Sequence, residues 1–271
     1  MPQQVNPRLG ALKDPEDVRD FPLRSIIRQV VLPPSIDYEK KMPPLRDQLN
    51  RGACVAFSTC AVKEYQERME RHTLKDLDLS EEWVYGQIRQ SGGGAYPRDA
   101  VKLITNSGVC KEKYLPYNSL ITDDSMEKAF YAPNIATRNA KYYMAQGYAR
   151  LTSLQDMKQS LVINGPFLIG VDWHTGWFNS GYVVGGYPYM KPDDGHSAGG
   201  HAIAIVGYDD KIGAFKFRNS WSGAWGKNGY GLFSYDTIQK NLSDAWTTFD
   251  ISNPKIVEKA VDELLIAKEA M

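Results

Sequence analysis

The two halves of the chain favour different secondary structure, and this asymmetry limits the folds that its 271 residues can adopt. In the first half, the segment Ala53 to Arg71 lacks Gly and Pro, and its apolar residues recur at helical spacing. Ser80 is the expected cap of a second helix, Glu81 to Gln90, and Arg98 to Asn106 forms a third. The second half has short apolar segments bounded by Gly and Asn, which predict strands at 166–171, 201–208, 214–218 and 230–235. Helices followed by strands predict an α+β fold of two lobes.

Composition excludes several classes of protein. Lys plus Arg and Asp plus Glu each total 32, so no overall charge attracts nucleic acid or an anionic membrane surface. No stretch approaches the roughly eighteen consecutive apolar residues of a membrane-spanning helix. Residues 1–20 lack the apolar core of a secretory signal, and the 3 cysteines are too few for a disulfide framework. We therefore expect a cytoplasmic protein without nucleic-acid or membrane partners; location in a virion and delivery into another cell are the alternatives.

Proline and charge patterns divide the chain into three parts. Residues 1–31 contain helix-breaking prolines and dense charge, which indicates an N-terminal extension. Residues 32–250 form the main domain, with a helical lobe at about 45–125 and a strand-rich lobe at about 126–250. The last part, 251–271, has the apolar spacing of an amphipathic helix.

Four side chains suited to nucleophilic catalysis occur in favourable local settings. Cys54 begins the first predicted helix, where unpaired amides and the helix dipole favour a thiolate, although free cysteines are more often buried core residues. His201 opens a strand after two glycines, and Asn219 follows the next strand, where its amide oxygen could fix the imidazole tautomer. Gln48 could complete an oxyanion hole with the Cys54 backbone N–H. Taken singly, Asn219 is equally consistent with an ordinary strand-end residue, and Gln48 is more consistent with a glutamine of a solvated loop.

Metal binding is the rival use of the histidines. His196 and His201 with Asp193 or Asp194 could be imagined as ligands, but their spacing matches no ligand pattern, and the cysteines are distant in sequence. We therefore expect neither a metal nor another cofactor.

Motifs along the chain resemble those of the papain-like cysteine peptidases. The sequence Gln48-Leu-Asn-Arg-Gly-Ala-Cys54-Val-Ala-Phe57 keeps the family's glutamine-to-cysteine spacing and its Gly-Ala-Cys segment. Gly200-His201-Ala-Ile-Ala-Ile-Val-Gly-Tyr208 is similar to the family's histidine strand, and Asn219-Ser-Trp221-Ser-Gly-Ala-Trp225 to its asparagine motif. These motifs occur in family order within about residues 32–235. Three further segments resemble the family: 32–38, 93–97 and 164–166.

The resemblance implies a fold, a reaction and a set of roles. The fold would place a helical lobe beside a β-barrel-like lobe, with the active site in the cleft between them. The Cys54 thiolate, paired with the His201 imidazolium, would cleave peptide bonds through an acyl-enzyme, while Asn219 orients His201 and Gln48 holds the oxyanion. The small, uncharged pocket residues imply a preference for a bulky hydrophobic residue two positions before the cut. The residues implied to contact substrate are Gly93, Gly94, Ala95, Tyr96, Pro97, Gly170, Gly200, Ala202 and Trp221.

The chain also departs from the family pattern. Arg51 stands where a disulfide cysteine is usual and Val55 where an aromatic is usual, which fits a bacterial or viral branch without the usual disulfides. Residues 1–31 are too short for the usual prodomain, but their extended composition leads to the hypothesis that they inhibit the enzyme as a plug in the cleft. Two other functions stay open, namely an acyl transferase or transpeptidase using the same triad and a catalytically silent peptide-binding protein. The sequence does not determine the oligomeric state.

Overall fold

The computed structural model describes residues 9–27, 30–70, 76–118 and 130–250. The predicted C-terminal helix at 251–271 lies outside these ranges, as do residues 1–8. The described helices are α1 (Cys54–Glu70), α2 (Glu81–Ile88), α3 (Pro97–Asn106), α4 (Asn134–Ala140), α5 (Leu154–Ile163) and α6 (Tyr235–Asn241). The described strands are β1 (Ser35–Asp37), β2 (Gly147–Arg150), β3 (Phe167–His174), β4 (Val183–Val184), β5 (Tyr187–Met190), β6 (Ser197–Asp209), β7 (Ala214–Arg218), β8 (Tyr230–Ser234) and β9 (Leu242–Phe249).

Local sequence signals account for the three helices of the first half. The Ser80 side chain accepts a hydrogen bond from the Trp83 backbone N–H and caps α2, as its position predicts. The helix α2 ends two residues before the predicted Gln90, because Arg89 adopts an extended ψ of 133°. Pro97 occupies the first turn of α3, where its missing N–H costs nothing. Helices α1 to α3 enclose one buried apolar cluster, and Cys54 lies in it.

The strands form an open sheet rather than the expected barrel-like lobe. Eight strands pair in the order β2-β9-β3-β6-β7-β8-β5-β4, and the ninth, β1, pairs with β6. The two end strands of this order, β2 and β4, do not pair with each other, so the sheet is not closed. Periodicity along single strands contains no information about closure, which depends on pairing between distant segments.

The long strand β6 and the helix α1 bring the two halves of the site together. In the antiparallel register of β3 and β6, Gly170 lies opposite Ala202 and Val171 opposite His201. The helix α1 packs against both strands, which puts its first residue, Cys54, beside the start of β6. Strand β9, which the sequence analysis missed, pairs with β3 on the opposite side from β6.

The N-terminal residues 9–20, which we call the strap, cross the region between these elements. The backbone N–H groups of Gly10 and Ala11 both donate to the Gly200 carbonyl at 2.9 Å. The Ala95 N–H donates to the Gly10 carbonyl at 2.8 Å, and the Leu12 N–H donates to the Ala95 carbonyl at 2.9 Å. These bonds make a parallel bridge between the strap and the loop before α3.

Candidate active site

The imidazole of His201 is fixed by Asn219 and enclosed by aromatic rings. The Asn219 Oδ1 lies 2.8 Å from the His201 Nε2 and also accepts the Ser220 N–H at 2.8 Å. Trp221 stacks over the His201 ring with centroids 4.6 Å apart, and Trp173 meets its edge at 5.0 Å. The other ring nitrogen, Nδ1, is buried, and no hydrogen bond to it is formed within the described residues. The Asn219 oxygen accepts a hydrogen bond at Nε2, which favours the imidazole tautomer that has its proton on Nε2. Nδ1 is then unprotonated and can accept a proton.

Cys54 begins α1 and lies wholly out of contact with solvent. Its exposure is 0%, and its thiol interacts with the backbone of Ala202, next to His201, and with the backbone of Gly10 in the strap. Burial raises the pKa of the Cys54 thiol to about 11, an effect that these backbone hydrogen bonds only partly offset.

The two reactive groups are therefore electrically neutral while the strap is in place. Burial lowers the pKa of His201 to about 4, although its hydrogen bond to Asn219 acts in the opposite direction. A thiol with a raised pKa and an imidazole with a lowered pKa disfavour the thiolate–imidazolium pair that the resemblance implies. The physical reason is that the strap and both lobes exclude the water that would solvate the charges.

Gln48 is held between the two halves of the site. Its side-chain Oε1 accepts the Ser220 hydroxyl at 2.6 Å, and its Nε2 donates to the Arg51 carbonyl at 2.8 Å. Its backbone N–H donates to the Ser220 carbonyl at 2.9 Å. These contacts tie the segment before Cys54 to the segment after Asn219, and the carboxamide that the sequence analysis assigned to the oxyanion is part of that link.

Three of the nine residues expected to contact substrate, Gly94, Ala95 and Gly200, contact the strap instead. Gly94 approaches the Gly10 carbonyl so closely that a Cβ would lie 2.7 Å from its oxygen. A Cβ at Gly200 would overlap the Ala11 carbonyl oxygen, and one at Gly10 would overlap the Gly52 carbonyl oxygen. Ala95 supplies the backbone pairing described above. The remaining two loop residues play local roles, since Gly93 donates its N–H to the Gln90 carbonyl and Tyr96 precedes α3 as its cap residue.

The expected apolar pocket wall adjoins charged groups that the sequence analysis missed. A Cβ at Gly170 would lie 3.4 Å from Pro97 Cγ, so these two residues face each other, and Ala202 lies opposite Gly170 in the sheet. The same Cβ would lie 3.9 Å from the backbone nitrogen of Asp244 on β9. The Asp14 N–H of the strap donates to the Asp244 Oδ2 at 2.8 Å. No local pattern marks Asp244, because it joins the site only through the pairing of β9 with β3.

A buried ion pair occupies the position of the missing disulfide. Arg51 is 2% exposed, and its guanidinium binds both carboxylate oxygens of Glu82 in α2, at 2.5 and 3.2 Å. The rings of Tyr85 and Tyr117 lie 5.2 and 4.7 Å from its guanidinium carbon. The three cysteines are free thiols, as expected.

Two properties bear on other kinds of site. Among the described residues, the acidic group that could hold a cation is Glu67, Glu70 and Asp250, but the Lys63 ammonium already binds Glu67 at 2.7 Å and also Asp250. None of the described helices combines the length and the apolar character needed to cross a membrane.

Comparison with known proteins identifies the family. The model of the papain family cysteine proteases matches residues 32–246. An uncharacterized peptidase C1-like protein of Acanthamoeba polyphaga mimivirus is 24% identical over 90% of this chain and 83% of its own length. Cathepsin K of Gallus gallus is 30% identical over 76% of this chain, which spans only 60% of that relative.

Solved structures agree with this result. Xylellain, a cysteine protease from Xylella fastidiosa, superposes with a TM-score of 0.75 at 25% identity, covering 92% of this chain and 98% of its own. The procathepsin B S9 of Trypanosoma congolense has a TM-score of 0.70 at 21% identity, covering 90% and 87% of the two chains, and supports the fold. The chain therefore belongs to the papain family of cysteine proteases, enzymes of the hydrolase class.

Proposed function

We propose that this protein hydrolyses peptide bonds with Cys54 as nucleophile and His201 as general acid and base. The observation that supports this most strongly is the 2.8 Å contact between Asn219 Oδ1 and His201 Nε2. It leaves His201 Nδ1 as the nitrogen that can exchange a proton with sulfur. The Cys54 thiol lies against Ala202, the next residue of the same strand.

The proposed reaction needs the strap to leave the cleft. Water then solvates both groups, and the Cys54 proton moves to His201 Nδ1. The thiolate attacks the scissile carbonyl, whose oxygen takes the negative charge and is bound by the Cys54 N–H with the Gln48 amide. His201 returns its proton to the leaving amine, and water, deprotonated by His201, then hydrolyses the thioester.

We further propose that the strap keeps the full-length protein latent. Gly10 packs against Gly52 and the Cys54 thiol, where a scissile residue would have to lie. The Gly10 carbonyl accepts a hydrogen bond from the Ala95 N–H, so it is engaged by a group other than the proposed oxyanion donors. The strap therefore occupies the substrate path without offering its carbonyl for attack.

A single glycine substitution tests both proposals in the full chain. Gly10→Ala places a methyl group into the Gly52 carbonyl, and overpacking of this kind costs about 1–3 kcal/mol. The open form should therefore gain about 5–150-fold in population, with an equal gain in hydrolysis of fluorogenic peptides. Gly181→Ala is the matched control, because a Cβ there meets no atom within 4 Å.

Three further measurements separate the alternatives. Cys54→Ala in the Gly10→Ala background should abolish turnover. Product analysis with added amine separates hydrolysis from acyl transfer, since a transferase would give mostly the amide product. A silent peptide-binding protein would show no turnover in any variant, and its Cys54 would react with iodoacetamide no faster than free cysteine.

A further inference from the structure

The carboxylate of Asp14 occupies a site built by residues outside the strap. The side chain is buried, with the residue only 4% exposed. The indole Nε1 of Trp246 donates to its Oδ2 at 2.7 Å. The backbone N–H of Arg98, in the first turn of α3, lies 3.2 Å from each carboxylate oxygen. An indole donor and a helix N-terminus aimed at one point form a site for a negatively charged group.

The strap supplies two of the three carboxylates around this site. Asp20, at the C-terminal end of the strap, pairs with the guanidinium of Arg98 and lies 3.0 Å from that of Arg150. Arg150 also pairs with Asp244 at 3.0 Å. When Asp14 and Asp20 leave with the strap, two guanidinium groups and one carboxylate stay behind. The vacated site then has one net positive charge and two unpaired N–H donors.

The site borders the part of the cleft that holds residues before the scissile bond. The strap begins at Leu9, and a Cβ placed at Gly199 would lie 3.4 Å from the Leu9 Cδ1. From there the strap passes the Cys54 thiol at Gly10 and continues to Asp14. Leu9 belongs to the same buried cluster as Trp221, which covers His201, so its end of the strap lies where the leaving amine must receive its proton. Asp14 lies on the other side of Gly10, next to the Pro97 and Gly170 wall.

We propose that this vacated site is a subsite for an acidic side chain of the substrate, located within the few residues before the scissile bond. This inference rests on the proposed peptidase function and specifies its substrate class. The Asp or Glu carboxylate takes the place of the Asp14 carboxylate against Trp246 Nε1 and the Arg98 N–H. The guanidinium groups of Arg98 and Arg150 supply the long-range attraction.

Binding to an inactive, open variant tests the inference without relying on catalysis. The full chain carrying Gly10→Ala and Cys54→Ala is titrated with fluorescent peptides that have Asp, Glu, Asn or Leu at each of the three positions before the cut. At one position, the Asp or Glu peptide should bind at least about tenfold more tightly than its Asn and Leu counterparts. The preference should weaken with added salt.

Three variants assign the preference to this site. Trp246→Phe removes the indole donor but keeps a ring, and Arg98→Gln removes a charge; each should reduce the acidic preference at least severalfold. Trp83→Phe is the matched control, because it removes another buried indole donor, the one bound to the Gly108 carbonyl at 2.9 Å. It should leave the preference unchanged. Melting curves show that each variant is folded.

The outcomes separate this inference from the proposed function. Equal binding of all peptides, no binding at all, or an acidic preference that survives both Trp246→Phe and Arg98→Gln would overturn the subsite. Hydrolysis by the single Gly10→Ala variant reports on the peptidase proposal independently. Cleavage without an acidic preference counts against the subsite alone, whereas acidic binding without cleavage counts against the peptidase alone.

Discussion

Arg51 holds the loop before the nucleophile through charge instead of a covalent bond. The guanidinium lies near two tyrosine rings and binds the Glu82 carboxylate through two nitrogens, and it also donates to the Asn118 carbonyl at 3.1 Å. A buried pair of this kind depends on both partners, because either one alone is an uncompensated buried charge.

Glu82→Gln should therefore destabilise the protein strongly. Loss of one partner of a buried pair costs about 3–5 kcal/mol, and a chain of this size melts about 2–4 °C lower per kcal/mol. A fall in Tm of about 10 °C in thermal unfolding is the expected result. Lys240→Gln, which removes an exposed pair with Asp193, is the control and should leave Tm unchanged. A Tm for Glu82→Gln within about 2 °C of the parent would contradict this role.

At the scale of elements, the strap docks against three segments through a cluster of charges. Asp14 and Asp20 of the strap face Arg98 of α3, Arg150 of β2 and Asp244 of β9. Burial, followed by the nearby charge of Asp14, raises the pKa of Asp244 from its ordinary 3.8 to about 7. The docked state therefore holds a proton on this cluster that the open state releases.

The latent state should weaken as the pH rises. The pKa of Asp244 is higher in the docked state than in the open state, so the proton on Asp244 stabilises the docked state. This stabilisation is complete below about pH 4 and is lost as the pH rises past about 7. The activity ratio of the parent protein to Gly10→Ala should increase from about pH 6.5 to pH 8. Below this range the lowered pKa of His201 acts in the opposite direction, because docking then requires His201 to lose a proton.

Asp244→Asn provides the control for this pH dependence. This substitution removes the titrating group. The activity of Asp244→Asn, divided by the activity of the double variant that carries both Gly10→Ala and Asp244→Asn, should therefore be constant over the same pH range. A ratio that decreases with pH in the parent, or one that changes equally in the Asn variant, would assign the titration to another group.

At the scale of the whole molecule, all three thiols are buried, but for different reasons. Cys54, Cys60 and Cys110 are each 0% exposed, but only Cys54 is covered by the strap. Cys60 lies within α1, and Cys110 belongs to the same buried cluster of the helical half. Opening of the strap should therefore expose one cysteine, whereas unfolding would expose three.

Iodoacetamide labelling followed by mass mapping distinguishes these events. Gly10→Ala should be labelled at Cys54 alone and faster than the parent, because solvation returns the thiol pKa toward its ordinary value. Cys60 and Cys110 should stay unmodified in both proteins. Equal labelling of all three residues would show that the substitution unfolds the chain instead of opening the cleft.

Much of this architecture follows from local sequence. The helix α1 is determined by a long segment without Gly or Pro, and β7 coincides with its predicted bounds at Ala214 and Arg218. The strand β6 begins four residues before the predicted His201, because its glycines pair with β3 although they lack strand propensity. Strand β9 was missed because its buried polar residues, such as Asp244 and Thr247, obscure the alternation.

The sequence alone indicated the side chains to which we assign the proposed chemistry, because Gln48, Cys54, His201 and Asn219 lie in short motifs whose spacing is local. The tertiary structure decided how these side chains are covered and which protonation states are favoured. The direction of the strap, the contact between Asp14 and a tryptophan 232 residues away, and the neutral state of Cys54 and His201 all arise from segments that meet only in the folded chain. Solvation and pairing between distant segments set these properties, and neither is encoded in any single stretch of sequence.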